Sequence, residues 1–546
     1  MTVKLAPSAH VDSFCRDNLP PSGQWPELRF DLPELQYPQR LNCASELLDA
    51  VIDRWGADRP CLLTPAGERW SYGEVRDAMN RTARVLVEDL GMVPGNRVLL
   101  RAPNNPWLVI CWLAVLKAGL VTVTTMPLLR AGELSTIAEI ARVDLALCDY
   151  RFTDDLVAAK IEGLPIVGVG GPAPEDLLAM AAAKPADFTA VDTAADDVAL
   201  LAFTSGTTGR PKATMHFHRD LLANADTFAK HLVKPRPDDV FTGTPPLAFT
   251  FGLGGLVIFP LRFGASSLLV EKATPDQLAD LIAEHRVSVC FTAPTAYRAM
   301  LQSGKGAQLS SLRRGVSAGE HLPQSTWQAF FTATGVKLID GIGSTEMLHI
   351  FLAAADDDIR PGSTGRAVPG YLAEVVDESG SPLPAGSIGR LAVKGPTGCR
   401  YLADQRQAVY VQQGWNITGD TFVRDEDGYF YYQARSDDMI VSAGYNIAGP
   451  EVEEALSSHP DVLECGVVGV PDEARGQLVK AFVVLGQGVA GDQDEVRRLQ
   501  AHVKEQIAPY KYPRAIEFVA ELPRTSSGKL QRFVLREQAD GGVSCG

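Results

Sequence analysis

Thr204-Ser205-Gly206-Thr207-Thr208-Gly209-Arg210-Pro211-Lys212 directly follows the apolar run 198–203. The apolar run is typical of a buried strand, and the hydroxyls and glycines after it indicate a loop. Glycine lets backbone N–H groups approach phosphate oxygens, while Arg210 and Lys212 supply positive charge. The stretch is no Walker A loop, because Pro211 stands before the lysine and no Gly-Lys-Ser/Thr ends it. It favours a polyphosphate-binding loop of another kind over a plain surface turn.

Composition limits the classes of protein to consider. With 546 residues, of which 46% are hydrophobic, the chain is long enough for two or more domains. Its net charge of −15 gives no support for binding to nucleic acid or to an anionic membrane surface. The nine cysteines are scattered without a C-x-x-C pair, and residues 1–20 contain no apolar signal core. These features argue against a zinc site and a disulfide framework and favour a cytoplasmic location.

Alternating strand and helix patterns follow one another along the chain. Apolar segments at 98–100 and 121–124 read as strands on either side of a helix at 106–117, which predicts a βαβ unit and a parallel sheet. The apolar stretch 107–126 is interrupted by Lys117 and Gly119, so a buried helix followed by a strand fits it better than a membrane span. Ser71 with Glu74 predicts a capping box at the start of another helix.

Further motifs follow the glycine-rich loop in order. They are Asp340-Gly341-Ile342-Gly343-Ser344-Thr345-Glu346, Thr418-Gly419-Asp420, Ala434-Arg435-Ser436-Asp437-Asp438 and Pro523-Arg524-Thr525-Ser526-Ser527-Gly528-Lys529. Carboxylates such as Glu346 are ligands that Mg²⁺ prefers, and an aspartate can accept hydrogen bonds from both ribose hydroxyls. Singly, each motif also fits a helix cap, a turn or a solvated lysine. In this order they resemble the adenylate-forming superfamily of acyl-CoA synthetases, peptide-synthetase adenylation domains and luciferases.

The resemblance covers about residues 45–535 and implies an α/β fold. It implies a large N-terminal domain (residues 1–434) of αβ-layered sheets plus a small β-barrel, with its barrel near 362–393. A small mobile α+β domain (residues 435–546) would follow and carry the catalytic lysine, Lys529. Asp437 would be the hinge between the two domains.

The resemblance also assigns the site residue by residue. The residues that would bind ATP are Thr204, Ser205, Gly206, Thr207, Thr208, Gly209, Lys212, Gly319, Glu320, Asp340, Gly341, Ile342, Thr345, Asp420 and Arg435. Glu346 would hold Mg²⁺, and Ser442, Ala443 and Gly444 would border a tunnel for coenzyme A. Two positions depart from the usual pattern: Ile342 stands where many members have tyrosine, and Ala434 where glycine is usual.

The substrate is read from a set of aromatic and small residues: Phe249, Phe251, Ala318, Gly343 and His349. Together they predict a short aromatic pocket with one polar edge, suited to a substituted ring. The run around His349 looks like that of benzoate-type ligases, and more particularly 2-aminobenzoate-CoA ligases. Benzoate and salicylate remain open as substrates, as does an enzyme that loads an aryl acid onto a carrier protein. The expected partners are an aryl acid, ATP and coenzyme A, with neither nucleic acid nor membrane; a homodimer remains open.

Overall fold

The chain folds into two large sheets, a half-barrel and a smaller mixed sheet. This computed structural model describes residues 5–204, 211–435, 438–442, 445–472, 475–507, 509–524 and 529–540. The strands are β1 (Pro60–Leu63), β2 (Arg69–Ser71), β3 (Arg97–Arg101), β4 (Val121–Thr125), β5 (Leu145–Asp149), β6 (Ile166–Val169), β7 (Val198–Thr204), β8 (Lys212–Phe217), β9 (Val240–Gly243), β10 (Ser266–Leu268), β11 (Val289–Thr292), β12 (Arg314–Ser317), β13 (Leu338–Gly343), β14 (Ile350–Ala353), β15 (Arg366–Ala367), β16 (Leu372–Val376), β17 (Ile388–Lys394), β18 (Val411–Gln412), β19 (Trp415–Arg424), β20 (Phe430–Arg435), β21 (Ile440–Ser442), β22 (Tyr445–Ile447), β23 (Val462–Asp472), β24 (Gly476–Leu485) and β25 (Ala515–Phe518).

Helices cover the sheets and fill the connections between strands. The α-helices are α1 (Phe14–Asp17), α2 (Ala50–Trp55), α3 (Tyr72–Arg84), α4 (Pro106–Lys117), α5 (Ala131–Ala141), α6 (Thr153–Ala158), α7 (Leu177–Ala182), α8 (His218–Asn224), α9 (Thr250–Leu253), α10 (Phe259–Arg262), α11 (Pro275–Glu284), α12 (Pro294–Gln302), α13 (Gln324–Thr334), α14 (Gln407–Tyr410), α15 (Gly449–Ser457), α16 (Gln493–Gln506) and α17 (Arg532–Asp540). Three of them continue as π-helical turns: α3 into Val85–Asp89, α8 into Ala225–Val233 and α9 into Gly254–Ile258.

The two large sheets are mostly parallel. One has the order β6-β5-β3-β4-β7-β8, and the other has the order β15-β14-β13-β12-β11-β9-β10-β1-β2. Antiparallel pairs are confined to strands at the ends, such as β7 with β8 and β13 with β14. The carboxyl ends of β7 and β13 carry two of the motifs, and the predicted residues Gly319 and Glu320 follow β12. Strand connections of this kind place ligands at the carboxyl edge of a parallel sheet.

The predicted βαβ unit is confirmed by β3, α4 and β4. Strand β3 pairs in parallel with β4, with Arg97 opposite Val121 and Arg101 opposite Thr125. Helix α4 lies between the layers and is buried on all sides except at Trp107. Its one lysine, Lys117, is also buried, and its ammonium lies 2.8 Å from a carboxylate oxygen of Asp49. That ion pair explains how a charge is accommodated in an otherwise apolar helix.

The later elements match the predicted architecture. Strands β16 to β20 form an antiparallel half-barrel, where the sequence indicated a small barrel. Strands β21 to β25 with α15, α16 and α17 form the smaller C-terminal domain around a core that includes Val452, Val467 and Leu499. The fold is therefore mixed α/β, with a large N-terminal and a smaller C-terminal domain. The boundary between residues 434 and 435 stays a prediction.

Local predictions about the helices and cysteines can also be compared with the structure. The capping box at α3 is confirmed, because the Glu74 backbone N–H donates to Ser71 Oγ and the Ser71 N–H donates to Glu74. The described cysteines are unpaired thiols. Among the described residues, every helix is too short or too polar to cross a membrane.

Candidate active site

The first cluster of the site joins the strand after the glycine-rich loop to the Ser-Thr-Glu turn. Lys212 begins β8, where its backbone pairs with Thr204 at the end of β7. Its Nζ lies 3.8 Å from Glu346 Oε1 and donates a hydrogen bond of 2.8 Å to Tyr401 Oη. The Tyr401 hydroxyl in turn donates to Glu346 Oε1 at 2.5 Å. Burial and the Glu346 charge raise the pKa of Tyr401, so the phenol stays a hydrogen-bond donor.

Tyr401 is a residue that the sequence reasoning missed. It follows β17 in a buried loop and is fully buried, and its contacts are with residues far away in the chain. No spacing or local pattern marks it. A tyrosine after a run of small residues is common in any core, so the sequence offered no usable signal.

A buried histidine supports the Ser-Thr-Glu turn from behind. His216 on β8 is fully buried, and burial lowers its pKa to about 3, so the ring is neutral. Its Nε2 lies 2.8 Å from the backbone carbonyl oxygen of Thr345 and donates to it. On the other side, the Ser344 hydroxyl lies 3.2 Å from Tyr410 Oη. The turn that carries Thr345 and Glu346 is thus held by side chains from two other segments.

The second cluster lies on neighbouring strands of the half-barrel. Asp420 on β19 is in register with Arg435 on β20, and their side chains are 3.3 Å apart. Burial raises the pKa of Asp420, while the Arg435 charge opposes that shift. Gly419 has φ +78°, and a Cβ atom there would lie 3.1 Å from Arg435 Nη2. Glycine before the aspartate therefore supplies both the backbone conformation and room for the guanidinium group.

Lys529 belongs to the C-terminal domain, and its side chain lies close to Gly319 of the large domain. Its Cε lies 3.9 Å from the place that a Cβ atom of Gly319 would occupy. The side chain is exposed to solvent, yet the surrounding protein lowers its pKa by desolvation, while the charge of Asp420 acts in the opposite direction. Glu320 and Glu346 also contribute to the electrostatic field at Lys529. The charges of carboxylates from both clusters therefore act on the lysine.

Strand β13 forms the wall between these clusters and the core. A Cβ atom at Gly341 would lie 2.7 Å from the Ile350 side chain, and one at Gly343 would lie 2.6 Å from the His349 carbonyl oxygen. Both glycines are therefore needed for the close pairing of β13 with β14. Ile342, on the same strand, packs against the main core. Burial raises the pKa of Asp340, at the start of the motif, to about 7.

The predicted substrate residues form an aromatic cluster. His349 is 3% exposed and is surrounded by the rings of Phe228, Phe251, Phe259 and Phe291, at centroid distances of 4.6 to 6.2 Å. Burial lowers its pKa to about 3, so the imidazole is neutral. Its Nε2 lies 3.3 Å from the Phe251 carbonyl oxygen, and its Nδ1 has no hydrogen-bond partner among the described residues. His349 is thus a buried, neutral ring and not an exposed polar edge.

Phe249 and Phe251 are half-buried and lie on the loop and helix that follow β9. Ala318, at the end of β12, is 6% exposed and also packs in the main core. In the predicted tunnel, Ser442 is 4% exposed at the end of β21. The predicted residues Ser205, Gly206, Thr207, Thr208, Gly209, Asp437, Ala443 and Gly444 lie outside the described residues.

A separate cavity of about 890 Å³ lies beside the site. Its walls come from the carboxyl ends of β3, β5 and β10 and from α4, with Trp107 and Cys111 among the lining residues. Asn104 separates it from the Phe249 loop, because its side chain hydrogen-bonds the Pro245 carbonyl oxygen and the Leu247 N–H. The cavity contains neither Lys529 nor Glu346 in its lining, so it is distinct from the two clusters.

Glu346 is the carboxylate best placed to hold a metal ion. It is 7% exposed and lies beside Lys212, the last residue of the glycine-rich motif, where the phosphates of a nucleotide are expected. Carboxylate oxygen is a hard donor, so this group fits Mg²⁺. A second set of possible ligands, His459, Asp461 and Glu495, lies in the small domain, but Arg498 already pairs with both of its carboxylates.

Two protein-family models match this chain. Residues 48–401 match the model of the "AMP-binding enzyme" family, and residues 451–529 match that of the "AMP-binding enzyme C-terminal domain". The benzoate–CoA ligase of Thauera aromatica is 35% identical, over 92% of this chain and 97% of that protein. The 3-hydroxybenzoate–CoA ligase of Aromatoleum sp. (strain CIB) is 32% identical, over 92% of this chain and 98% of that protein.

Solved structures give the same result. An anthranilate CoA ligase in complex with anthranoyl-AMP has a TM-score of 0.88 at 33% identity, over 93% of this chain and 99% of that one. A benzoate CoA ligase from Burkholderia xenovorans has a TM-score of 0.84 at 32% identity, over 91% of this chain and 100% of that one. The chain therefore belongs to the AMP-binding enzyme family, as an AMP-forming acid–thiol ligase of the adenylate-forming superfamily that is similar to aryl-CoA ligases.

Proposed function

We propose that this enzyme activates a small aromatic acid with ATP and transfers the acyl group to coenzyme A, with 2-aminobenzoate as the best candidate acid. The observation that carries the proposal is the aromatic cluster around His349. Phe249 and Phe251 are half-buried, and the His349 imidazole is neutral. Its Nδ1 is an acceptor without a hydrogen-bond partner among the described residues. An acceptor inside an aromatic surrounding suits a ring that bears an amino or hydroxyl donor.

In the first half-reaction the carboxylate of the acid would attack the α-phosphorus of ATP. The P–O bond to pyrophosphate breaks and an acyl-adenylate forms, so negative charge develops around the α-phosphate. Positive groups that are already in place stabilise such charge. Lys529 would supply that stabilisation where the carboxylate meets the α-phosphate. Lys212 would act on the departing pyrophosphate together with the glycine-rich loop.

The remaining residues would bind and orient the nucleotide. Asp420 would accept hydrogen bonds from the ribose hydroxyls, and the nearby Arg435 charge favours its ionised form. Gly319 and Glu320 would border the base, and His216 would hold the turn on which Thr345 contacts the α-phosphate. When bound at Glu346, Mg²⁺ would neutralise charge on the phosphates.

In the second half-reaction the thiol of coenzyme A would attack the acyl carbon of the adenylate. A thioester forms and AMP leaves with the electron pair of the broken anhydride bond. Lys529 has no part in this step. Ser442 and the two residues after it would border the route of the thiol.

The test is a pyrophosphate-release screen with 2-aminobenzoate, salicylate, benzoate and octanoate, each with and without coenzyme A. We expect the enzyme to turn over the aryl acids, and 2-aminobenzoate fastest among them. Turnover should be sustained only with coenzyme A, and mass spectrometry should detect a thioester product. A preference for octanoate would contradict the aryl assignment. Release of pyrophosphate that coenzyme A does not sustain would favour a carrier protein as acceptor.

Tyr401→Phe should weaken the binding of ATP. Without the hydroxyl, the Lys212 ammonium loses its 2.8 Å partner and is free to turn to Glu346, away from the phosphates. We expect the KM for ATP in the presence of Mg²⁺ to rise by about 10-fold, as for the loss of one charge-assisted hydrogen bond.

Calorimetric titration of ATP and Mg²⁺ gives a second measure of that change, without turnover. The KM for the aryl acid should stay within about twofold, because the acid does not contact Tyr401 in this arrangement. Tyr431→Phe, on the outer half-barrel, is the matched control. Unchanged ATP affinity in Tyr401→Phe would show that the hydroxyl does not position Lys212.

A further inference from the structure

Arg524 connects the two domains five residues before Lys529. Its Nη1 lies 3.2 Å from Glu320 Oε1, in the turn after β12 of the large domain. Its Nη2 lies 3.1 Å from Glu464 Oε2, on β23 of the small domain. One guanidinium group therefore ties the segment that precedes the lysine to both domains at once.

The ion pairs continue beyond Arg524. The other oxygen of Glu464 lies 3.9 Å from Nη2 of Arg298, on α12 of the large domain. The charges alternate along the series Glu320, Arg524, Glu464 and Arg298, and the series crosses the domain boundary twice. Rotation of the small domain would remove Arg524 and Glu464 together and separate them from both of their partners in the large domain.

A second contact of the same kind lies at the amino end of α13. The N-cap residue of this 11-residue helix is Pro323, which has no side-chain acceptor, and the first turn contains no acidic residue. The carboxylate of Glu454, on α15 of the small domain, accepts the Gln324 backbone N–H at 3.0 Å. Its other oxygen lies 4.0 Å from Nε2 of His321. The small domain thus supplies the cap that α13 lacks in its own sequence.

We propose that Arg524 and Glu454 form an orientation latch that holds the small domain where Lys529 faces Asp420 and Glu346. The inference rests on the proposed two-step function, since the latch would serve adenylation and would have to open for thioester formation. Both contacts are partly exposed to solvent, with side-chain exposures of 30% for Arg524 and 35% for Glu454. Contacts of that kind are strong enough to bias an orientation and weak enough to release it.

The properties of Glu320 fit a latch that opens. Burial raises the pKa of this carboxyl, and the charge of Arg524 acts against that shift. When the small domain rotates and Arg524 moves away, the Glu320 carboxylate loses its main compensating charge. Opening the latch is therefore unfavourable at Glu320, and closing it restores the ion pair. Arg524 and Glu454 are therefore positioning residues and not catalytic ones.

The first test measures the two half-reactions separately in Arg524→Ala and Glu454→Ala. We expect adenylation, followed as single-turnover pyrophosphate release, to slow by about 10-fold in each variant. Thioester formation from supplied 2-aminobenzoyl-adenylate should stay within about twofold or become faster. Arg524→Lys and Glu454→Gln should recover part of the adenylation rate, and Arg497→Ala, on an exposed face of α16, is the control. Equal loss of both half-reactions would overturn the latch.

The second test needs no substrate. Hydrogen–deuterium exchange of the α13 amides 324–327 should increase in Glu454→Ala, which removes the cap directly. It should also increase in Arg524→Ala, although Arg524 does not touch that helix, because the domain orientation changes. If wild-type enzyme activates none of the acids, the proposed function fails while this exchange test still stands. Unchanged exchange in Arg524→Ala would refute the latch on its own.

Discussion

Lys529→Ala is expected to slow adenylation by about 100- to 1000-fold, the range found when one preorganised donor to a developing oxyanion is removed. The charges of Asp420, Glu320 and Glu346 act on the lysine, and Gly319 leaves open the space beside its Cε. No other described lysine reaches this position from the small domain. Thioester formation from supplied aryl-adenylate should change by less than about threefold, because the ammonium takes no part in that step.

The measurement is single-turnover kinetics of the two half-reactions with 2-aminobenzoate or benzoate. Lys529→Arg keeps the charge but not the compact shape of the ammonium, so it should recover only part of the rate. Lys504→Ala, on the exposed side of α16, tests for a nonspecific effect of losing a lysine. If both half-reactions fell equally in Lys529→Ala, the assignment of the lysine to the first step alone would be wrong.

The sequence predicts the parts of the site that follow from strand order. The apolar run 198–203 predicted a buried strand that opens into a loop of hydroxyls and glycines, and in the structure β7 ends at Thr204, opposite Lys212 at the start of β8. The structure brings Lys212 within 3.8 Å of Glu346 there. The resemblance assigned Asp420 and Arg435 separately to the nucleotide, and the structure has them opposite each other on β19 and β20. Their chemical roles remain predictions.

Residues that act through long-range contacts could not be predicted in this way. Tyr401 bonds to Lys212 across 189 residues of sequence, and His216 supports Thr345 across 129. Arg524 was visible as part of a motif, but its pairing with Glu320 spans 204 residues. Such contacts depend on how sheets and domains pack, and neither periodicity nor spacing contains that information.

His349 shows how burial changes an expectation. The sequence left two interpretations of His349 open: a hydrogen-bond partner at the edge of the substrate ring, or a satisfied core histidine. In the structure four phenylalanines surround it, two of them on the continuous helical run 250–262 and two from other elements, and desolvation keeps it neutral. Gly254 adds to this enclosure, since a Cβ atom there would lie 2.4 Å from the imidazole Cδ2. The ring is therefore an acceptor fixed by packing, which no single segment of the sequence specifies.

Phe249→Ala is expected to change which acid the enzyme prefers. Phe249 is half-buried before α9, and its backbone N–H donates to the Pro246 carbonyl oxygen while its side chain takes no part in capping the helix. The substitution should thus widen the pocket without changing the backbone. Losing one ring contact should lower kcat/KM for benzoate and 2-aminobenzoate by about 10- to 100-fold.

The wider pocket should admit octanoate. The ratio of kcat/KM for 2-aminobenzoate to kcat/KM for octanoate should therefore fall, and by a larger factor than kcat/KM for 2-aminobenzoate itself. Phe251→Ala is the contrasting variant, because the Phe251 ring lies 5.5 Å from His349 and 5.6 Å from Phe291 and supports the cluster itself. Its loss should lower the melting temperature as well as the activity, whereas Phe249→Ala should leave the melting temperature nearly unchanged. Competition assays with the two acids and a thermal melt of each variant distinguish these effects. An unchanged ratio in Phe249→Ala would place the end of the acyl pocket elsewhere, while the adenylation chemistry assigned to Lys529 would stand.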